Sequence, residues 1–271
     1  MPITGSTRRV SWADRIDRAE ELAERNSSAK QVLEFYCHVL HFQRSVYEET
    51  QMDGRRSMAK PGNIRALLDF SQAARALPAL VKLVAANGPP VLARFAGQFQ
   101  GSSPQQVCDL LARWLEEPDQ AETANSFFAR VLLQPQAERL AGFMEASHPG
   151  VAGNLCSLCK SPPQLAIIRP EGDGGKRNLL CSLCQSEWEF RRILCPACGE
   201  VNHEKLPRYS AEGVLAVRVE ACDTCRQYLK SVDLTVDGLA VPVVDEIATA
   251  PLDLWAAEHN YRKIQVNLMG F

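Results

Sequence analysis

The sequence predicts an α+β protein: an N-terminal α-helical domain, then two tandem four-cysteine metal ribbons, then a short C-terminal helix. Three observations predict it. Up to about residue 147, apolar residues recur at helical spacing with almost no strand signal. Eight of the ten cysteines form four Cys-x-x-Cys pairs: Cys156/Cys159, Cys181/Cys184, Cys195/Cys198 and Cys222/Cys225. The gaps between successive pairs are 21, 10 and 23 residues, and two nearly equal long gaps around a short one suggest an internal duplication. The predicted boundaries are 1–150 for the helical domain, 151–192 and 193–244 for the two ribbons, and 245–271 for a helical tail. A chain of 271 residues has room for this division.

The helices come first. Ala13–Arg25 and Ser27–Gln51 have helical periodicity; in the second, Leu33, Tyr36, Leu40 and Tyr47 form a stripe that Val32, Val39 and Val46 widen. Pro61-Gly62-Asn63 is a break, and Ile64–Leu77 and Pro78–Ala86 follow, ended by Asn87-Gly88-Pro89-Pro90. Ser103-Pro104 is a helix start, because serine caps and proline loses nothing at the first helical position. Val107, Leu110, Leu111, Trp114 and Leu115 line one face, Phe127, Phe128, Val131 and Leu132 the next, and Leu140 and Met144 mark a last helix after Pro135. Each stripe must be buried against another, so a bundle is the simplest arrangement. Cys37 and Cys108 read as buried structural thiols, and Phe35, Tyr36, Phe42 and Tyr47 as packing residues. His148-Pro149-Gly150 reads as a linker.

The ribbons follow from chelate geometry. A two-residue spacer aims two sulfurs at one cation, and two such turns brought together by a hairpin complete a tetrahedral site. Site one is assigned to Cys156, Cys159, Cys181 and Cys184, and site two to Cys195, Cys198, Cys222 and Cys225. Gln164–Arg169 and Arg177–Leu180 have strand character about a glycine-rich turn, and Val214–Val219 alternates into Cys222. Gly199 suits a turn that folds back toward the metal. Trp188, Phe190, Tyr228 and Leu229 are expected to pack over the sites. The spacing leaves open a cross-braced arrangement, with the first and third pairs on one metal, as well as redox dithiols and disulfides. A redox dithiol expects a pair at a helix start in a βαβ context, which is missing, and structural disulfides are rare in the cytoplasm. Four thiolates suit zinc or iron. Zinc would be structural, whereas a single iron would resemble rubredoxin and could change redox state. No coordination position is left open for hydrolysis. His203 is expected to be a solvent-facing loop residue rather than a ligand.

Charge narrows the function. Residues 1–150 carry 17 basic and 17 acidic side chains, 151–244 carry 11 and 11, and 245–271 carry 2 and 4. With a divalent ion in each site, residues 151–244 would lie near −4, which disfavours nucleic acid as a partner. The most apolar stretch, Ala76–Ala86, is short and contains Lys82, so no membrane insertion is expected. Ser6-Thr7-Arg8-Arg9 resembles a twin-arginine signal, but charged residues follow it where an apolar stretch is needed. It is therefore expected to be an ordinary exposed start, in a chain that stays in the cytoplasm. No phosphate loop with Gly-Lys-Ser/Thr and no Gly-x-Ser-x-Gly elbow occurs. Glu20/Glu21, Glu48/Glu49 and Glu116/Glu117 read as solvated helix faces. A binding or assembly protein, not an enzyme, is the expectation.

Several motifs carry a resemblance. They are Leu180-Cys181-Ser182-Leu183-Cys184, Glu187-Trp188 and Arg191-Arg192, then Cys195-Pro196-Ala197-Cys198-Gly199. Val219-Glu220-Ala221-Cys222-Asp223-Thr224-Cys225 and Tyr228-Leu229-Lys230 continue it. In the tail, Leu252-Asp253-Leu254, Ala257-Glu258, Tyr261 and Asn267-Leu268 also match. Together with the weaker Leu33-Glu34-Phe35-Tyr36, the chain resembles the formate dehydrogenase accessory protein family, the FdhE type. The resemblance implies a cytoplasmic assembly factor that contacts the catalytic subunit of respiratory formate dehydrogenase before twin-arginine export. It also implies rubredoxin-like sites for iron or zinc, held by the eight paired cysteines. One departure is that the first pair reads Cys156-Ser157-Leu158-Cys159-Lys160, not Cys-Pro-x-Cys-Gly. This implies a looser first turn, which Pro162-Pro163 would stiffen. The alternatives are a zinc-ribbon nucleic-acid-binding protein and a rubredoxin-like redox protein. A homo-oligomer is left open.

Overall fold

The structure, a computed structural model, describes residues 10–52, 54, 63–117, 123–144 and 153–271. The Arg8-Arg9 motif, Pro61-Gly62 and the expected linker at 148–150 lie outside the described residues.

The first half is helical. It comprises α1 (Trp12–Arg25), α2 (Lys30–Glu49), α3 (Phe70–Asn87), α4 (Pro90–Ala96), α5 (Pro104–Glu116) and α6 (Thr123–Gly142). Ser11 and Asp14 form a reciprocal capping box at the start of α1. Ser103 caps α5 as its sequence predicts, with Gln106 returning the bond.

Two expected breaks are absent. Asp69 caps α3 through the N–H of Gln72, so Ile64–Leu67 is only a short 3-10 turn. The helix then runs through Pro78, because the buried stripe of Ala73, Ala74, Leu77, Leu80 and Val84 outweighs one lost hydrogen bond. Likewise α6 runs through Pro135. The proline leaves the Val131 carbonyl without its usual partner four residues on, and Gln43 Nε2 reaches that oxygen from α2 at 3.4 Å. Cys37 and Cys108 are half-buried at the edge of the core rather than inside it.

The second half is one seven-stranded sheet, ordered β3-β2-β1-β6-β5-β4, with β7 paired to β6. Its strands are β1 (Pro163–Glu171), β2 (Gly174–Cys181), β3 (Glu187–Glu189), β4 (Arg208–Ala211), β5 (Val214–Cys222), β6 (Gln227–Asp233) and β7 (Arg262–Lys263). Each four-cysteine unit supplies an antiparallel meander, β1-β2-β3 and β4-β5-β6. The meanders join through a parallel β1–β6 contact, Leu165 opposite Lys230 to Ile168 opposite Asp233. The tail forms two short helices, α7 (Pro242–Ala248) and α8 (Ala250–Glu258), before β7.

The helices dock directly on the sheet and tail. Arg18 of α1 pairs with Asp245 at 2.6 Å and Asp237 at 3.2 Å. Arg15 forks onto Glu138 of α6 at 2.9 and 2.6 Å, and both side chains are buried. One apolar cluster therefore runs from Ile16 and Leu33 through α6 to Cys156, Cys159, Cys181 and Cys184. A smaller cluster, with Val219, Tyr228, Leu252 and Ala256, fills the space between β5, β6 and α8.

Candidate metal centres

The cysteines converge in sequential order. Cys156, Cys159, Cys181 and Cys184 form one cluster, Cys195, Cys198, Cys222 and Cys225 the other, and within each all sulfurs lie within 4.8 Å of one another. In the first, Cys156 and Cys184 sulfurs are 3.5 Å apart and those of Cys159 and Cys181 3.3 Å. In the second, the corresponding separations are 3.8 Å for Cys195 and Cys225 and 3.7 Å for Cys198 and Cys222. A disulfide needs ~2.05 Å, and all ten cysteines are free. Four sulfurs ~2.3 Å from a central zinc ion define a tetrahedron of edge ~3.8 Å. These separations match that edge in the second cluster and fall slightly short of it in the first. The donor set therefore fits a four-coordinate ion in each cluster.

A single backbone device builds all four turns. The residue after each second cysteine has a positive φ: Lys160 at 61°, Gln185 at 55°, Gly199 at 81° and Arg226 at 56°. This left-handed step reverses the chain, so the N–H of Lys160, Gly199 and Arg226 returns to the carbonyl of the first cysteine of its pair. The N–H of Cys156, Cys181 and Cys195 in turn bonds the carbonyl five residues on. Only Gly199 was legible as such a position. Lys160, in the departing first motif, adopts the same conformation as the others.

The two clusters differ in burial. Cys156, Cys159, Cys181 and Cys184 are all within 1% of complete burial. The helical region touches both of their turns. Ile64 N–H reaches the Leu158 carbonyl at 3.4 Å, and Gln134 Nε2 donates to the Ser182 carbonyl at 2.7 Å. In the second cluster Cys198 is exposed and Cys225 half-buried. Its turns are held instead by Thr224 donating to Glu200 at 2.5 Å and by Tyr261 of the tail donating to Asp223 at 2.5 Å.

Protonation follows packing. Hydrogen bonds from the neighbouring thiols hold Cys159 well below the usual thiol range, while burial pushes Cys181 and Cys184 well above it. In the second cluster burial likewise raises Cys195 and Cys225, whereas N–H and thiol donors outweigh burial at Cys198 and lower it. Four thiolates share one small space only when a cation offsets their charge.

Of the other residues singled out from sequence, His203 is exposed. Trp188, Phe190, Tyr228 and Leu229 are buried, and Trp188 Nε1 donates to the Gly153 carbonyl at 2.9 Å. A hollow of about 290 Å³ beside the second cluster is lined by Cys195, Cys222, Arg192 and His203 among others.

Sequence reasoning missed two buried polar groups. Arg130 of α6 lies against the first cluster and the tail. Lys230 and Lys263 face Glu246 and Asp253 in a buried tetrad, to which Tyr228 and Asn267 add hydrogen bonds. A lysine between the apolar Tyr228-Leu229 and Val232 in β6 was the available signal for the tetrad.

A helical region packed on a double meander, with a four-cysteine cluster in each meander, defines a class of two-cluster ribbon protein. The family description "FdhE, C-terminal domain" matches residues 179–269, and "FdhE, central domain" matches residues 155–192. The chain is 28% identical over 267 residues to a protein named Protein FdhE homolog from Aquifex aeolicus, covering 94% of each. It is 38% identical over 120 residues to the Protein FdhE homolog of Pseudomonas aeruginosa, covering 42% of this chain and 39% of that one. The crystal structure of the FdhE protein from Pseudomonas aeruginosa superposes with a TM-score of 0.72 at 26% identity, covering 95% of each chain. The chain thus matches FdhE family models over residues 155–269 and is similar to FdhE proteins along nearly its whole length.

Proposed function

We propose that the protein is a non-catalytic accessory factor for respiratory formate dehydrogenase, binding the catalytic subunit in the cytoplasm before twin-arginine export. The observation that carries this reading is likeness to FdhE along nearly the whole chain, helical region included, with both cysteine clusters intact. Cys156, Cys159, Cys181 and Cys184 hold one iron or zinc ion, and Cys195, Cys198, Cys222 and Cys225 the other. Both are closed four-sulfur sites, suited to holding the fold or to one-electron change and not to substrate activation. No helix among the described residues is long and apolar enough to cross a membrane, which accords with a factor acting before export.

The test is affinity capture of tagged protein from its own cytoplasm, with mass spectrometry of what accompanies it. Enrichment of a formate dehydrogenase catalytic subunit is expected. If that subunit is present in the lysate but not captured, the reading fails. In cells, Cys→Ser in either cluster is expected to abolish formate dehydrogenase activity.

A further inference from the structure

Arg130 is 4% exposed. Its Nη1 donates to the carbonyls of Val266 at 2.7 Å and Asn267 at 2.9 Å, and its Nη2 to Gln164 Oε1 at 3.1 Å and the Ser182 carbonyl at 3.5 Å. Every one of these acceptors is uncharged. Glu246 attracts it through space, but that carboxylate is occupied by Lys230 and Lys263. With Asp253 these form a set of two cations and two carboxylates that balances itself. Among the described residues no carboxylate forms a salt bridge with Arg130. Burial pulls its guanidinium down to about 10, as expected of a cation short of countercharge.

A buried cation so placed is costly unless charge of the opposite sign lies close by. Ser182 follows Cys181 inside the second turn of the first cluster, so the Nη2 contact with the Ser182 carbonyl puts the guanidinium one residue from a ligand. Four thiolates around a divalent ion carry a net −2. We propose that Arg130 is the counter-charge of the first metal cluster, a positioning residue that stabilises its metal-bound state and so sets its affinity. Among the described residues the arginines beside the second cluster differ: Arg192, Arg208 and Arg226 are exposed, where water screens them, and the buried Arg177 is already paired with Glu220 at 2.7 Å.

The inference rests on reading the clusters as metal sites, and the experiment separates the two. Zinc-loaded full-length protein is titrated with a chelator, released thiols are trapped with iodoacetamide, and peptide mass spectrometry identifies which cysteines lost protection. Wild type is expected to hold two zinc ions. Arg130→Met and Arg130→Gln are expected to release the first-cluster zinc at about tenfold lower chelator concentration, with the second cluster unchanged. Arg130→Lys keeps the charge and is expected to stay within about threefold of wild type. Gln134→Ala, which removes only neutral bonds, one to Ser182 and one from Gln43, should do the same.

A wild-type chain that takes up neither zinc nor iron overturns both readings. Two zinc ions in wild type with an unchanged first cluster in Arg130→Met overturn the counter-charge alone, as does equal weakening of both clusters. If the two uncharged variants fail to fold with zinc while Arg130→Lys folds and keeps both ions, the charge is supported. If Arg130→Lys behaves like them, the role is hydrogen-bond geometry and the proposal fails.

Discussion

At the scale of single residues, the metal turns depend on four left-handed positions, of which only Gly199 is glycine. A residue with a Cβ there costs about 1 kcal/mol relative to glycine. Lys160 is exposed, so Lys160→Gly loses no packing. It is expected to raise the melting temperature of the metal-loaded protein by ~2–4 °C, read by differential scanning calorimetry. Gly199→Ala, with open space around the new Cβ, should lower it by a similar amount through backbone strain alone. Sulfur burial sets a second expectation. Under limiting alkylating reagent, Cys198 and Cys225 should be the first of the eight clustered cysteines to be modified and the four of the first cluster the last, as peptide mass spectrometry would resolve. Simultaneous labelling of both clusters would contradict the difference in burial.

At the scale of elements, the buried tetrad fastens α7, α8 and β7 to β6. Lys230 Nζ lies 2.5 Å from Asp253, and Lys263 Nζ 2.8 Å from the same carboxylate. Burial alone would push the Glu246 carboxyl up, but Lys230 and Lys263 outweigh it and hold it below its ordinary value. A carboxyl depressed in the folded state contributes stability above its unfolded value of ~4.3, and that contribution is lost as pH falls through the lower folded value. Glu246→Gln leaves two buried lysines with one carboxylate and is expected to cost about 3–5 kcal/mol at neutral pH in urea unfolding. The gap to wild type should narrow as the medium is acidified, since wild type then loses the same charge. A gap that widens in acid would contradict the assignment. The helical elements show the same principle in milder form. Pro135 stays inside α6 because Gln43, on a different helix, reaches the carbonyl it exposes.

At the scale of the whole molecule, the two clusters occupy different places in one continuous sheet. The first belongs to the main core and shares it with α1, α2 and α6, whereas the second lies outside both apolar clusters. Stripping metal from the first cluster is therefore expected to raise amide exchange in α6 and α2 as well as in β1 and β2. Loss from the second should remain confined to β4, β5 and the turns around Cys198 and Cys225. Hydrogen exchange of partly stripped protein would read this, and equal effects on the helices from either cluster would argue against it.

By itself the sequence determined the helical half, the Ser103 cap, and the eight clustered cysteines with sequential pairing as the favoured arrangement. These are local signals: periodicity, a cap three residues from its partner, two sulfurs on one turn. Tertiary structure alone decided four things. It carried α3 and α6 through their prolines, because burial and a distant side chain offset what the local rule counts as a break. It joined the two ribbons into one sheet by a parallel contact between strands some 60 residues apart. It placed Lys160, Gln185 and Arg226 in a conformation their side chains do not favour, because the convergence of sulfurs leaves no other path. And it buried Arg130 beside one cluster only. No local pattern encodes that placement, because its energy comes from groups that meet only when the helices close over the sheet.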